Sequence, residues 1–197
     1  MSEHHHFPSD EWKRLIRPER YEEENPQDTV SFFGLKPGSI VVDIGCGPGF
    51  YEEALIRAVG TTGRVIAVDR TEGMIEAFRA SSPVANKCDL VVAEIPPLPL
   101  SDACADYVWL VNVLHEFDET TGALQELNRV LRDGGQVLCI DWAAVESGHG
   151  PPIHVRISLE RAIAYFSETG FTVEDSGMRG TDRYFIVAQK HSQGRGV

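Results

Sequence analysis

Apolar runs of strand length alternate along this chain with amphipathic stretches of helix length, the pattern of βαβ units and a parallel sheet. The pattern predicts strands near Ser39–Ile44, Arg64–Val68, Leu90–Ala93, Tyr107–Val111 and Gln136–Asp141. Helices are predicted over Tyr51–Val59, Glu72–Ala80 and Thr120–Leu131, the last stopped by Asp133-Gly134-Gly135. Pro96, Pro97 and Pro99 remove backbone donors from Glu94–Asp106, which predicts an extended crossover in place of a helix. Beyond the fifth strand, Ala143–Arg156 is rich in Gly, Pro and His and reads as a loop. A helix over Ser158–Thr169 follows, with Ser158 as N-cap and Gly170 as its stop, and then a hairpin of Phe171–Ser176 and Tyr184–Gln189.

The first strand runs into Asp43-Ile44-Gly45-Cys46-Gly47-Pro48-Gly49-Phe50, and the second is closed by Asp69, 20 residues beyond Gly49. Glycines at alternate positions let the backbone turn sharply and approach a ligand that a Cβ would push away. A carboxylate at the tip of the second strand is placed to bind both hydroxyls of a ribose. The dinucleotide fingerprint needs a third Gly or Ala where this chain has Phe50, so a pyrophosphate ligand is disfavoured. The pattern Gly45-x-Gly47-x-Gly49 resembles instead motif I of the class I S-adenosylmethionine (SAM) dependent methyltransferases, whose cofactor has a ribose and no phosphate.

With 197 residues the chain has room for one domain and a full core. Its 18 basic and 30 acidic residues leave a net charge of -12, which opposes binding to nucleic-acid backbones. No apolar run reaches the ~20 residues that span a bilayer, and Met1–His6 lack the features of a signal peptide, so a soluble, cytoplasmic protein is expected. Cys46, Cys88, Cys104 and Cys139 are scattered, without a C-x-x-C pair, and read as reduced thiols. No metal is expected: His4-His5-His6 at a terminus reads as adventitious.

Ligands of open parallel sheets bind beyond the carboxyl ends of the strands. Asp43 and the glycine loop, Asp69, Glu94, Asn112 with His115, and Asp141-Trp142 all follow such ends. The match is closest to the ubiquinone/menaquinone C-methylase-like methyltransferases, the type 11/25 group. It rests on Glu94-Ile95-Pro96-Pro97-Leu98-Pro99, on Val111-Asn112-Val113-Leu114-His115-Glu116, and on Arg129-Val130-Leu131-Arg132-Asp133-Gly134-Gly135, which carries Asp133 where the family has proline. The resemblance covers about Leu35 to Lys190 and implies a Rossmann-like three-layer α/β sandwich. Its seven-stranded, mostly parallel sheet would have an antiparallel last strand; outside the stretch that carries the resemblance, residues 1–34 are expected to form an N-terminal helical lid and residues 191–197 a frayed tail. The resemblance also implies SAM as cofactor, S-adenosylhomocysteine as product and a small-molecule acceptor, with Asp43, Gly45, Cys46, Gly47, Gly49, Asp69, Arg70, Met74, Ala93, Glu94 and Asn112 around the cofactor. In the family an acid at the position of Glu94, more often Asp, accepts the adenine amino group.

Each candidate also has a plain structural reading. Asp43 either caps the glycine turn or binds the cofactor's ammonium, Glu94 either meets adenine or is a solvated acid, and Cys46 reads as small filler. His115 is either a general base or a histidine satisfied in the core. The acceptor pocket is expected from outside the common core: Trp12, Arg17, Arg20 and Tyr21 on one side, Trp142, His154 and Arg156 on the other. Gly150-Pro151-Pro152 with Arg156-Ile157-Ser158 is similar to a pattern in small methyltransferases of uncharacterised substrate. Arg156 would either pair with an anionic acceptor or tie down its own loop by capping carbonyls. The acceptor atom is not legible, because displacement from a sulfonium needs alignment more than acid–base machinery. Two other functions compete, a non-catalytic SAM-binding module and a nicotinamide-dependent reductase, and the assembly expected is a monomer or homodimer.

Overall fold

The computed structural model describes residues 8–191, and it begins with three short helical segments. A 3-10 helix covers Ser9–Ile16, followed by α1 (Pro18–Glu23) and α2 (Pro26–Phe33). Proline at the first turn costs neither α1 nor α2 a hydrogen bond, since that N–H has no helical partner. Asn25 then caps α2 by accepting the N–H groups of Gln27 and Asp28, and Gly34 closes it at φ 65°.

The strands are β1 (Ile40–Ile44), β2 (Arg64–Asp69), β3 (Asp89–Val92), β4 (Ala105–Val111), β5 (Leu131–Trp142), β6 (Phe171–Arg179) and β7 (Arg183–Lys190). They form one seven-stranded sheet in the order β3-β2-β1-β4-β5-β7-β6. β1 with β2, β2 with β3 and β4 with β5 pair in parallel, whereas β7 is antiparallel to both β5 and β6. Helices α3 (Glu52–Val59), α4 (Glu72–Ser81), α5 (Thr120–Val130) and α6 (Leu159–Glu168) complete the fold, and the chain divides into two compact units between Glu94 and Ile95.

In the unit ending at Glu94, β1 and β2 are buried from Val41 to Ile44 and from Val65 to Asp69. α4 buries Met74, Ile75, Ala77 and Phe78, the three-and-four spacing that turns one helical face to a core. Ile75 and Phe78 pack there with Cys46 and Ala67, so helix packing reaches directly under the glycine loop.

In the unit beginning at Ile95, the core is formed by Val108–Leu110 of β4, Val137–Ile140 of β5, Leu124 and Leu127 of α5, and Phe166 of α6, which meets Phe171 edge-on at 5.6 Å. The crossover after Glu94 is irregular, as its prolines dictate. Arg129 on α5 fixes it, donating to Leu100 O at 2.9 Å and to Leu98 O at 3.2 Å, while Glu126 accepts the Leu98 N–H at 2.6 Å. The arginine of the Arg129–Gly135 motif is thus a structural nail. Asp133-Gly134-Gly135 does not stop a helix at Leu131: α5 ends one residue earlier and β5 starts at Leu131, paired with Ala105. Gly134 at φ 75° and a register shift between Ala105 and Tyr107 absorb the bend, and Lys190 Nζ satisfies the carbonyls of Asn128 and Leu131 at 2.8 Å each.

Candidate functional site

The backbone donors of the glycine loop are taken up within the protein, mostly by the end of β2. Gly45 N and Cys46 N both donate to Val68 O, at 2.8 and 3.0 Å, Gly47 N donates to Asp69 Oδ2 at 3.0 Å, and Gly49 N donates to Cys46 O at 3.2 Å. Pro48 has no N–H to offer. A phosphate seeks backbone amides that point out of such a turn, and here the amides of residues 45, 46, 47 and 49 already have acceptors. Gly49 is fixed by packing as well as by its φ of 89°: a Cβ there would lie 2.3 Å from Phe78 Cε2. At Gly47, φ 55°, the built Cβ would meet only Leu15 Cδ1 at 3.5 Å.

Acids surround this loop. Asp69, 8% exposed, accepts Gly47 N through Oδ2 and both Thr71 N and Thr71 Oγ1 through Oδ1, at 2.9 and 3.0 Å. A carboxylate offers about four lone-pair sites, so three are occupied. Release of the Thr71 hydroxyl would free a second for a diol. Asp43 is buried at the end of β1, and Glu52 is fully buried in the first turn of α3. Burial raises the pKa of both, and for Asp43 the charges of Glu52 and Asp69 push further the same way. The Cys46 thiol is pushed well up by burial and by Glu52, Asp43 and Asp69, so it stays protonated and serves as filler. Sequence reasoning missed Glu52, because an acid in the first turn of a helix looks like ordinary dipole complementation.

Of the other expected cofactor residues in this unit, Met74 is buried on the core face of α4, Arg70 and Glu94 are exposed, and Ala93 is half-buried with its N–H on Asp69 O at 3.0 Å. Phe50, the residue that departs from the dinucleotide fingerprint, anchors the N-terminal helices. Tyr21, 42% exposed, has its ring 4.5 Å from Phe50, Arg20 stacks over Phe50 at 3.8 Å, and Tyr51 donates to Glu24.

The other unit carries Asn112, His115, Asp141 and the loop after β5. Asn112 holds φ 59°, a conformation that non-glycine residues rarely adopt, and its buried Oδ1 has no partner among the described residues. His115 lies in a 3-10 turn, Leu114–Glu116, with a side chain 4% exposed. Its Nδ1 is 2.6 Å from Asp141 Oδ1, and its backbone N–H donates to Asp141 Oδ2 at 3.1 Å. Burial lowers the His115 pKa, but the charge and hydrogen bond of Asp141, aided by Glu116, outweigh it and leave the pKa raised. Directly across from Asp141 on β7, the Tyr184 hydroxyl is buried without a partner among the described residues, and burial with the Asp141 charge keeps that phenol neutral.

Beyond Asp141, Trp142 sits with the Arg183 guanidinium 4.7 Å and the Arg156 guanidinium 5.3 Å from its ring, and with His149 edge-on at 5.4 Å. Arg156 donates to Pro151 O at 2.8 Å, Val145 O at 3.0 Å, Ser147 Oγ at 2.8 Å and His149 O at 2.7 Å. Of the two readings of Arg156, this geometry is the loop clamp. The loop lines an open cleft of about 280 Å³ that includes Ile153 and Pro152, and His154 beside them is exposed. His4-His5-His6 and most of the expected tail lie outside the described residues. Among the described residues no three metal-ligating side chains cluster, and no helix is long and apolar enough to cross a membrane.

A methyltransferase-domain family, type 11, matches residues 42–139, from β1 into β5. The chain belongs to the class I SAM-dependent methyltransferases. Its Rossmann-like fold is that of a SAM-dependent methyltransferase from Aquifex aeolicus, with a TM-score of 0.87 and 28% identity over 93% of this chain and 99% of the other. Demethylmenaquinone methyltransferase of Staphylococcus aureus is 35% identical over 108 residues, which are 55% of this chain and 45% of the relative. This methyltransferase chain therefore spans about half the length of the curated relatives it matches. The [4+2]-cyclase SpnF shares the fold at a TM-score of 0.73 and 17% identity, so the fold alone does not specify a reaction.

Proposed function

We propose that this chain transfers the methyl group of SAM to a small-molecule acceptor, with Asp69 on the ribose, Asp43 toward the amino-acid end of the cofactor, and Gly45, Cys46, Gly47 and Gly49 forming the turn beneath it. Arg70, Met74, Ala93, Glu94 and Asn112 complete the proposed cofactor set, and residues 1–34 the proposed lid. The observation that carries this reading is the glycine loop, whose already accepted amides and acidic neighbours suit a cationic, phosphate-free nucleoside.

When bound, SAM would supply an electrophilic methyl carbon, and its sulfur would keep the electron pair of the broken carbon–sulfur bond to leave as the neutral thioether S-adenosylhomocysteine. Any proton the acceptor loses would pass to His115 Nε2, since Asp141 holds Nδ1 as the N–H side. A hydroxylated aromatic acceptor, of the quinol type that the name of the S. aureus relative suggests, would need such a base. Tyr21, Trp142 and His154 are the proposed acceptor-facing residues, and Arg156 supports them by holding the loop.

Titration calorimetry with SAM, S-adenosylhomocysteine and NADH tests the cofactor, and transfer of labelled methyl to quinols, phenols, carboxylates and thiols tests the reaction. Binding of the first two without NADH is expected. Micromolar NADH binding without SAM would overturn the reading, and SAM binding with no acceptor methylated would favour the non-catalytic module.

A further inference from the structure

Asp43 and Glu52 lie within hydrogen-bonding reach of each other, yet among the described residues Asp43 Oδ2 and both oxygens of Glu52 complete no hydrogen bond of ordinary geometry, the backbone N–H groups of Tyr51 and Glu52 at the start of α3 giving the Glu52 carboxyl polar support. Both residues are out of water, at 3% and 0% exposure. As two anions they have nothing to donate and repel each other where no solvent screens them. One proton cures both faults, because a carboxylic acid donates to the neighbouring carboxylate and one charge disappears. The groups that bear on the pair from surrounding elements do not supply a counter-charge. They are Asp69 at the end of β2, the thiols of Cys46 in the glycine loop and Cys88 before β3, and the phenol of Tyr21 on α1. All are acidic or neutral.

We propose that Glu52 is a positioning residue for the cofactor: it shares one proton with Asp43 while no ligand is bound, and the pair gives that proton to solvent when the cationic amino-acid end of SAM docks against Asp43. The inference rests on the cofactor reading of the glycine loop given above. The charge balances. The pair goes from one negative charge to two, the ligand ammonium meets the added charge, and one proton leaves per ligand bound. Glu52 is fully buried and acts through Asp43. Burial raises the pKa of both carboxyls, which places the exchange nearer neutral pH than the ordinary carboxylate range.

Titration of the full chain with SAM in buffers of different ionisation enthalpy, between about pH 6 and 8, counts the protons exchanged. Release of close to one proton per SAM is expected, with Kd falling by up to about tenfold per pH unit where release is complete. 5′-Methylthioadenosine, which lacks the amino-acid end, should release none. In Glu52→Gln the amide gives Asp43 a permanent donor, so SAM binding should lose its buffer dependence and its pH slope. Heats of SAM binding to the wild type that are the same in every buffer would overturn the proposal and leave the cofactor reading standing. Absence of SAM binding at every pH would overturn the cofactor reading, and the proposal with it. Proton release that persists in a folded Glu52→Gln protein also overturns it. Should that variant fail to fold, the wild-type comparison decides alone, with loss of a protonated-carboxyl infrared band on SAM addition as the expected confirming signal and an unchanged band as the overturning one.

Discussion

Asp141 grips His115 at two places, accepting its ring Nδ1–H at 2.6 Å through Oδ1 and its backbone N–H at 3.1 Å through Oδ2. The ring tautomer and the turn that carries it are set by one carboxylate at the end of β5. A base must be neutral to accept a proton, so turnover should rise with pH through the raised His115 pKa and level off above it. His115→Ala should lower kcat by about 10²–10⁴-fold with SAM affinity intact. Asp141→Asn should move the rise to lower pH and cost less. The stability that the charged pair contributes is complete below the ordinary histidine pKa and is lost as pH rises through the raised value. Full turnover in His115→Ala would leave alignment alone as the catalytic account.

Asp69→Ala should do two separable things. Loss of the proposed ribose contact weakens SAM by about 1.5–3 kcal/mol, the range for a hydrogen bond to a charged group. Gly47 N and Thr71 N also lose their acceptor, so the melting temperature should fall. Calorimetry and thermal denaturation separate these effects, and a lower Tm with unchanged affinity would make Asp69 a loop clamp only.

Gly49→Ala should be far more damaging than Gly47→Ala. Both substitutions carry about 1–2 kcal/mol for a left-handed backbone. Only at Gly49 does the new methyl drive into Phe78, adding about 1–3 kcal/mol of overpacking. Denaturant unfolding of the two variants checks the order, and equal losses would contradict the packing account.

Arg156→Lys should loosen residues 145–152, because an ammonium cannot reach the four acceptors that the guanidinium fork spans. Faster proteolysis and faster amide exchange confined to this loop are the expected readouts. Protection equal to wild type would show that Trp142 and His149 hold the loop without it.

The strand centres were legible because buried apolar runs and glycine punctuation are local signals. Ends depended on partners far along the chain. Leu131 continues the apolar periodicity of α5, but its pairing with Ala105, 26 residues earlier, draws it into β5. The acids proposed for the cofactor were readable as types at strand tips, whereas the use of Asp69 Oδ2 on Gly47 N was not, since it depends on how the loop folds back. His115 stood out by residue type, and its orientation by Asp141 is a contact across 26 positions that no local pattern announces. Glu52 was hidden because burial, which a sequence shows only through periodicity, is what makes it unusual.

A glycine loop whose amides are held by the neighbouring strand end has a consequence for competition. Nucleotides such as ATP and NAD carry phosphates that seek bare backbone donors, and the donors at residues 45, 46, 47 and 49 are already committed while three carboxyl groups stand nearby. With the cofactor site proposed at this loop, these abundant anions, which share the adenosine of SAM, are expected to be poor rivals for it. An inhibitor of this chain would gain more from a positive charge at the sulfur position than from any mimic of a phosphate.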